Sequence, residues 1–207
     1  MQVFQTDLAF KPSVADKRKL KRLGRYLVER PRVVMVFGWQ GKLGEVSGYS
    51  DSDWAGCRRT AKSTSGGVLM WGGHCLKSWS STQKNITLSS GEAELVAAVK
   101  MSAELIGMTQ LAHDWGMDVE GRLYVDSEAA IGVVSRRGNG RLRHVRVGML
   151  WIQELVEEGG IQVSKVLGTE NPADAMTKYL PASKMEGYMT KMSQAYRGGR
   201  AEAGLKL

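Results

Sequence analysis

The stretch Tyr49-Ser50-Asp51-Ser52-Asp53-Trp54-Ala55-Gly56 closes a short alternating run that begins at Glu45. Because successive side chains of a strand point to opposite faces, Asp51 and Asp53 share one face near the end of the predicted strand. Strand ends are where α/β sheets tend to carry their chemistry. Spacing alone leaves both aspartates open as the functional residue.

The segments around this strand predict an α/β fold with a mixed sheet. Ahead of it, a basic amphipathic helix is predicted from Ser13 to Glu29, because leucines recur at helical spacing behind a capping serine. From Glu45 onward, alternation and glycine turns predict an antiparallel meander, followed by a long covering helix and further strands and helices. The predicted strands are 33–37, 45–53, 66–71, 74–80, 123–126 and 161–167, and the later helices are 89–115, 128–134, 147–157 and 173–178.

Positive charge is concentrated in two segments. The 207 residues include 29 Lys and Arg against 21 Asp and Glu, a formal net charge of +8, which favours a polyanionic partner such as nucleic acid. A pair of solvated faces would show the same pattern. The candidate phosphate-binding residues are Lys17, Lys21 and Arg25 in the first segment and Arg136, Arg137, Arg141, Arg143, His144 and Arg146 in the second.

No apolar run in the sequence approaches the length of a membrane-spanning helix, so no membrane partner is expected. Charged residues and a proline interrupt the first fifteen residues, unlike the apolar stretch of a secretory signal. The expected location is intracellular, in the cytoplasm or the nucleus. Cys57 and Cys75 have no metal-ligand spacing and are predicted to be free thiols.

Two more aspartates lie at the ends of predicted elements. Asp126 ends a short apolar strand directly before a helix, where it is either a functional carboxylate or an ordinary N-cap. Asp174 lies in the first turn of the last predicted helix, where the helix dipole alone would favour a negative charge. Both residues therefore have a structural alternative.

Glu92 and Glu94 lie in the first turns of the long covering helix. Ser89 and Glu92 have the spacing of a capping box, which gives Glu92 a structural explanation. Glu94 has no such explanation, and it borders the small residues Ala97 and Ala98 that would let the helix approach the sheet.

Four converging carboxylates would require counter-charge, because like charges a few ångströms apart raise one another's pKa. A group of carboxylates without His or Cys ligands suits Mg²⁺ or Mn²⁺ and argues against zinc. Two such ions would stabilise the attacking water and the leaving oxygen of a phosphodiester displacement. The inferred reaction is nucleic-acid hydrolysis.

Several motifs occur in register and together resemble the ribonuclease H domain of copia-type retrotransposon polyproteins. Upstream of them, residues 11–27 resemble the segment that joins the reverse transcriptase to this domain. The motifs are Tyr49-x-Asp51-x-Asp53-Trp54-Ala55-Gly56, Ser63-Thr64-Ser65-Gly66-Gly67, Ser78-Trp79-Ser80-Ser81-x-Gln83-Lys84, Leu88-Ser89-Ser90-x-Glu92-Ala93-Glu94, Tyr124-x-Asp126-Ser127-x-Ala129-Ala130, Arg143-His144-Val145 and Asn171-Pro172-Ala173-Asp174-x-x-Thr177-Lys178.

The resemblance implies a ribonuclease H-like fold, with a five-stranded mixed sheet flanked by helices and a catalytic tetrad at its centre. It selects Asp51 over Asp53 and Glu94 over Glu92, and leaves the two unselected residues in supporting or structural roles. By the family pattern Asp51 would bridge two metal ions, Asp174 would complete the site of the nucleophilic water, and the remaining two would hold the second ion. The implied tetrad is Asp51, Glu94, Asp126 and Asp174.

The implied activity is the hydrolysis of the RNA strand of RNA–DNA hybrids during reverse transcription. It would use two Mg²⁺ ions, with Mn²⁺ as a possible substitute, and the reverse transcriptase domain of the same polyprotein as partner. Two alternatives stay open: a catalytically inactive nucleic-acid-binding remnant, and a DNA-directed nuclease of the same fold.

The expected organisation has three parts. Residues 1–44 would be a basic helix and strand left from the reverse transcriptase connection, 45–181 the ribonuclease H domain, and 182–207 a loosely ordered basic tail. Two features depart from the family pattern: residues 167–172 lack the histidine that some ribonucleases H carry there, and Arg146 stands where an acidic residue is common.

Overall fold

The computed structural model describes residues 13–140, 144–145 and 147–199. The predicted helix at 147–157 begins as a 3₁₀ turn at Val147–Met149 and becomes α-helical only at Trp151. In chain order the elements are α1 (Val14–Glu29), β1 (Arg32–Met35), β2 (Glu45–Asp53), β3 (Thr64–Trp71), β4 (His74–Thr82), α2 (Ser90–Asp114), β5 (Glu120–Val125), α3 (Glu128–Val134), α4 (Trp151–Glu157), β6 (Gln162–Lys165), α5 (Asp174–Thr177), α6 (Ala182–Lys191) and β7 (Gln194–Arg197).

The main sheet has five strands in the order β4-β3-β2-β5-β6. Strands β2, β3 and β4 form the predicted antiparallel meander, whereas β5 is parallel to β2 and β6 is parallel to β5. The prediction of an α/β fold with a five-stranded mixed sheet flanked by helices is confirmed. Both cysteines are free, as predicted.

Helix α2 covers one face of the sheet and forms the centre of the larger core. Its Leu95, Met101 and Leu105 are fully buried against apolar residues of β2 and β5. Close approach requires a small residue beneath the helix, since a Cβ on Gly48 would lie 2.8 Å from the Met101 side chain. By length and composition α2 could cross a membrane. Its burial against the sheet instead identifies it as the core helix.

The adjacent glycines of β3 separate the two faces of the sheet. A Cβ on Gly67 would meet the Trp79 ring at 2.5 Å on the α2 side. A Cβ on Gly66 would meet the Met176 Cβ at 2.7 Å and Thr177 Cγ2 at 2.8 Å, on the α5 side. Helix α5 therefore lies against the face opposite α2, where a second, smaller core includes Val68, Ala175 and Tyr188.

The expectation of a loosely ordered tail from residue 182 is wrong for residues 182–197. Helix α6 buries Tyr188 and Met189, and β7 pairs antiparallel with β1 in a separate two-stranded sheet. The Tyr26 and Tyr196 hydroxyls are 2.8 Å apart, and Arg30 lies over the Tyr196 ring. Packing between distant parts of the chain thus orders this segment despite its weak periodicity. Residues 200–207 lie outside the described residues.

Substituting Gly66 tests the packing of α5 on the sheet. An added methyl would lie 2.7 Å from the Met176 Cβ and 3.0 Å from the Ala173 carbonyl oxygen, neither of which can rotate away. Gly66→Ala is therefore expected to destabilise the fold by about 1–3 kcal/mol. Urea unfolding monitored by tryptophan fluorescence measures this loss. The matched control is Gly107→Ala in α2, where no atom lies within 4 Å of the added Cβ, and we expect a gain of about 0.5–1 kcal/mol. Equal effects of the two substitutions would contradict this packing.

Candidate active site

Asp51 and Asp126 follow paired positions on neighbouring parallel strands. The register pairs Ser50 of β2 with Val125 of β5, so the next residue of each strand lies at the same edge of the sheet. Asp51 is only 1% exposed, and Asp126 is half-buried. Parallel pairing therefore brings together two carboxylates that are 75 positions apart in the sequence.

Glu94 reaches the same edge from the first turns of α2. Carboxylate oxygens of Asp51, Glu94 and Asp126 lie within 4.8 Å of one another. The backbone N–H of Ser52 donates to Glu94 Oε1 over 3.2 Å, which fixes the position of the side chain. Glu94 Oε2 is buried and has no hydrogen-bond partner among the described residues. The three residues form a largely buried group of carboxylates, in which Glu94 Oε2 has no donor among the described residues.

Asp174, the first residue of α5, is brought to the group by the loop that precedes it. Within this loop Asn171 donates from Nδ2 to the Ser50 carbonyl over 2.9 Å and accepts from the Ala173 N–H over 3.1 Å. The Tyr188 hydroxyl donates to Asp174 Oδ2 over 3.4 Å. Because Asn171 is fully buried and bonded to Ser50, the loop between β6 and α5 is held against the end of β2.

Lys178 joins Asp174 to Asp51. Its Nζ lies 2.6 Å from Asp174 Oδ1 and 3.1 Å from Asp51 Oδ1, and the Thr177 hydroxyl donates to the other Asp51 oxygen. Sequence reasoning assigned Lys178 no role in the site. The signal was present, because a lysine four residues after an aspartate on a helix is within ion-pair reach.

Burial and mutual repulsion raise the carboxyl pKa values. Burial raises the pKa of Glu94 to about 8, with further increases from the charges of Asp51 and Asp126. Burial also raises the pKa of Asp51 to about 6, although Thr177 and Lys178 oppose the shift. The pKa of Asp126 is raised by its burial and by the charge of Asp174, against the opposing charge of Lys178.

Lys178 responds in the opposite sense to the same charges. Burial lowers the pKa of its ammonium, but the hydrogen bond to Asp174 and the charges of Asp51 and Asp174 outweigh this effect and raise it above the ordinary value. The group of carboxylates is thus short of positive charge, and Lys178 supplies part of it.

Asp53 and Glu92, the two residues that the family pattern did not select, accept hydrogen bonds from backbone amides. Asp53 accepts from the Thr64 N–H, at the start of β3. Glu92 accepts from the Leu88 N–H over 2.7 Å, one residue earlier than the predicted capping box requires, and its Oε2 is also 3.0 Å from His144 Nε2. The other half of the predicted box is present, since Ser89 Oγ accepts from the Glu92 N–H.

The basic candidates differ in whether they are exposed or form hydrogen bonds and ion pairs with other residues of the chain. Lys17, Lys21 and Arg25 are exposed and spaced four residues apart, so they lie along one side of α1. Arg136 donates to the Asn139 carbonyl, and Arg137 forms an ion pair with Glu157. His144 is exposed beside Glu92, at a cleft that Lys84 also lines. Arg141, Arg143 and Arg146 lie outside the described residues.

No protein-family model matches the chain. Among solved structures, it is similar to LC11-RNase H1, isolated from compost by a metagenomic approach, with a TM-score of 0.48, 17% identity, and coverage of 65% of this chain and 93% of that one. It is also similar to the N-terminal RNase H domain of rv2228c from Mycobacterium tuberculosis, with a TM-score of 0.43, 16% identity, and coverage of 70% and 95%.

Curated relatives match most of the chain. It is 32% identical over 169 residues to the Retrovirus-related Pol polyprotein from transposon TNT 1-94 of Nicotiana tabacum, and 29% identical over 185 residues to that from transposon RE1 of Arabidopsis thaliana. A shorter match, 33% identical over 104 residues, covers 50% of this chain and 72% of Secreted RxLR effector protein 161 of Plasmopara viticola. The matches to the two Pol polyproteins cover 81% and 87% of this chain but only 13% and 12% of their own lengths. Across that aligned segment, the chain is homologous to copia-type transposon Pol polyproteins.

Proposed function

We propose that the chain is a divalent-metal-dependent ribonuclease H, which hydrolyses the RNA strand of RNA–DNA hybrids during retrotransposon reverse transcription. The observation that carries the proposal is the convergence of Asp51, Glu94 and Asp126 from three separate elements into one buried group. Homology to the transposon Pol polyproteins supports the transposon context, and the reverse transcriptase of the same polyprotein is the proposed partner.

The donor set fits a hard divalent cation. Its ligand atoms are carboxylate oxygens, which Mg²⁺ and Mn²⁺ prefer. Burial raises the pKa values of Asp51 and Glu94, and Glu94 Oε2 has no hydrogen-bond partner among the described residues, which supports a bound cation as the counter-charge of the group. Asp51, Glu94 and Asp126 would hold one ion, and Asp51 with Asp174 a second. Bound ions would polarise the scissile phosphate and lower the pKa of a coordinated water.

The protein's own groups position these ligands. The Thr177 hydroxyl and the Ser52 N–H fix the Asp51 and Glu94 side chains, and Asn171 holds the loop that carries Asp174. Lys17, Lys21 and Arg25 on α1 and the basic segment at 136–146 are the proposed phosphate contacts. Contacts of this kind recognise hybrid shape through phosphates and 2′-hydroxyls and weaken with added salt.

Cleavage of a labelled RNA–DNA hybrid tests the substrate assignment. In the presence of Mg²⁺ we expect the RNA strand to be cut, with duplex DNA, single-stranded RNA and single-stranded DNA cut far more slowly. EDTA should stop the reaction. Equal or faster cutting of DNA would support the DNA-directed alternative, and binding of the hybrid without cleavage would support the inactive remnant.

Asp126→Asn is expected to reduce hybrid cleavage by about 10³-fold, equivalent to about 4 kcal/mol, because it removes a charged ligand from the reacting centre. Hybrid affinity should change little, since the phosphate contacts lie elsewhere. Single-turnover cleavage and fluorescence anisotropy measure the two effects. Asp114→Asn, at the exposed far end of α2, is the control. If Asp126→Asn retains activity within a few-fold, the site is wrongly assigned.

Glu94→Gln tests whether the buried carboxylates repel one another, through the pH dependence of the protein's stability. Because the pKa of Glu94 rises from an ordinary 4.5 to about 8 on folding, the folded state holds this proton more tightly than the unfolded state. The group's contribution to stability is therefore full below about pH 4.5 and is lost as the pH rises to about 8. In EDTA, Glu94→Gln should lose less stability than the wild type across this window.

Saturating Mg²⁺ should restore wild-type stability at pH 8 and do little for Glu94→Gln, as measured by thermal unfolding. Glu104→Gln is the matched control, because Glu104 is on the same helix but forms only a partly exposed ion pair with Lys77 among the described residues. The stability of Glu104→Gln should change with pH and Mg²⁺ as that of the wild type does. Identical pH profiles for all three proteins would refute the assigned role of Glu94.

A further inference from the structure

The carboxylate site has two halves with different contents. The first, which we call the open half, is formed by Asp51, Glu94 and Asp126, and Glu94 Oε2 in it has no partner among the described residues. The second, which we call the lysine half, lies between Asp51 and Asp174, where the Lys178 ammonium contacts one oxygen of each. Among the residues that the structure describes, only the lysine half holds a cation of the chain.

An ammonium and a divalent ion cannot share the lysine half. Lys178 Nζ is 2.6 Å from Asp174 Oδ1 and 3.1 Å from Asp51 Oδ1, so it occupies the space from which an ion would ligate the same oxygens. Mg²⁺ requires oxygens at about 2.0–2.1 Å. Two cations at that separation would also repel each other in a partly buried site. Occupancy by one therefore excludes the other.

The Lys178 ammonium can withdraw without disrupting the fold. Its side chain is 43% exposed, in contrast to the 1% and 7% of the two carboxylates it contacts. The residue stands immediately after α5, in extended backbone conformation, and the next residue, Tyr179, is 82% exposed. A rotation of the flexible stem would move the charge into solvent while Asp51 and Asp174 stay fixed.

We propose that Lys178 is a built-in counter-cation that takes the place of a second divalent ion in the resting protein. One ion binds first, in the open half, and a second enters only when the ammonium has left the lysine half. This inference rests on the proposed function for the identity of the ions. It adds an order of binding and assigns Lys178 a positioning role toward Asp51 and Asp174.

Titration of Mn²⁺ into the metal-free full chain, followed by isothermal calorimetry, tests the proposal. The wild type should show one site and a second at least about 10-fold weaker, a difference of about 1.4 kcal/mol. Lys178→Met should bind two ions with affinities within a few-fold of each other. The control is Lys184→Met, which changes an exposed lysine of α6 and should match the wild type. Two equal sites in the wild type, or no change in Lys178→Met, would overturn the proposal.

A measurement on the wild type covers the case in which Lys178→Met fails to fold. Acylation with acetic anhydride, followed by mass spectrometry of peptides, reports how accessible each lysine amine is. Saturating Mn²⁺ should increase the labelling of Lys178 several-fold and leave that of Lys184 unchanged. Labelling of Lys178 that stays constant or falls would show that the ammonium does not leave.

Failure of the inference differs from failure of the proposed function. If the wild type cuts the hybrid but binds two ions equally, the inference alone is wrong. If the predicted order of Mn²⁺ binding is found without cleavage of any nucleic acid, the order stands and the nuclease assignment fails. If no Mn²⁺ binds to either protein, both are wrong.

Discussion

Repulsion between buried carboxylates at one edge of the sheet is the constraint on which the site depends. Asp51 and Glu94 are almost fully buried, and their oxygens lie within 4.8 Å of each other and of Asp126. Such a group keeps its full charge only beside a cation, because the surrounding protein is a poor substitute for water. The raised pKa values express this deficit, and the Lys178 ammonium relieves it in one half of the site.

The rest of the fold holds the carboxylates against this repulsion. Parallel pairing of β2 with β5 aligns Asp51 with Asp126, and the small residues under α2 let Glu94 approach the end of β2. On the opposite face, Asn171 ties the loop before α5 to the Ser50 carbonyl. The strand pairing, the Ser52 N–H that binds Glu94 and the Ser50 carbonyl that binds Asn171 are all backbone groups, so much of the geometry does not depend on mobile surface side chains. A rigid arrangement of this kind suits a site whose occupants are ions.

The strand and helix order was predictable because alternation and helical periodicity are local signals. Alternation did not decide between Asp51 and Asp53, because both share a face of the strand, and the choice of Asp51 came from the family resemblance. In the structure Asp53 accepts a hydrogen bond from the Thr64 N–H. Similarly, the order of residues 182–197 depends on pairing with β1, about 160 positions away in the sequence, which no local pattern reveals. The spacing of Lys178 from Asp174 is a local signal, but its contact with Asp51 depends on the packing of α5 against β2. The order of residues 182–197 and the role of Lys178 thus depend on contacts between distant parts of the chain, which local propensity does not reveal.

The proposed activity requires that Asp51, Glu94 and Asp126 together bind a divalent cation. A crystal of the full chain soaked in Mn²⁺, with data collected at the manganese absorption edge, tests it most directly. We expect an anomalous peak within coordination distance of oxygens from all three residues, about 2.0–2.6 Å for hard divalent cations. No peak at this edge of the sheet, or a peak held by other residues while these three stay without a ligand, would contradict it.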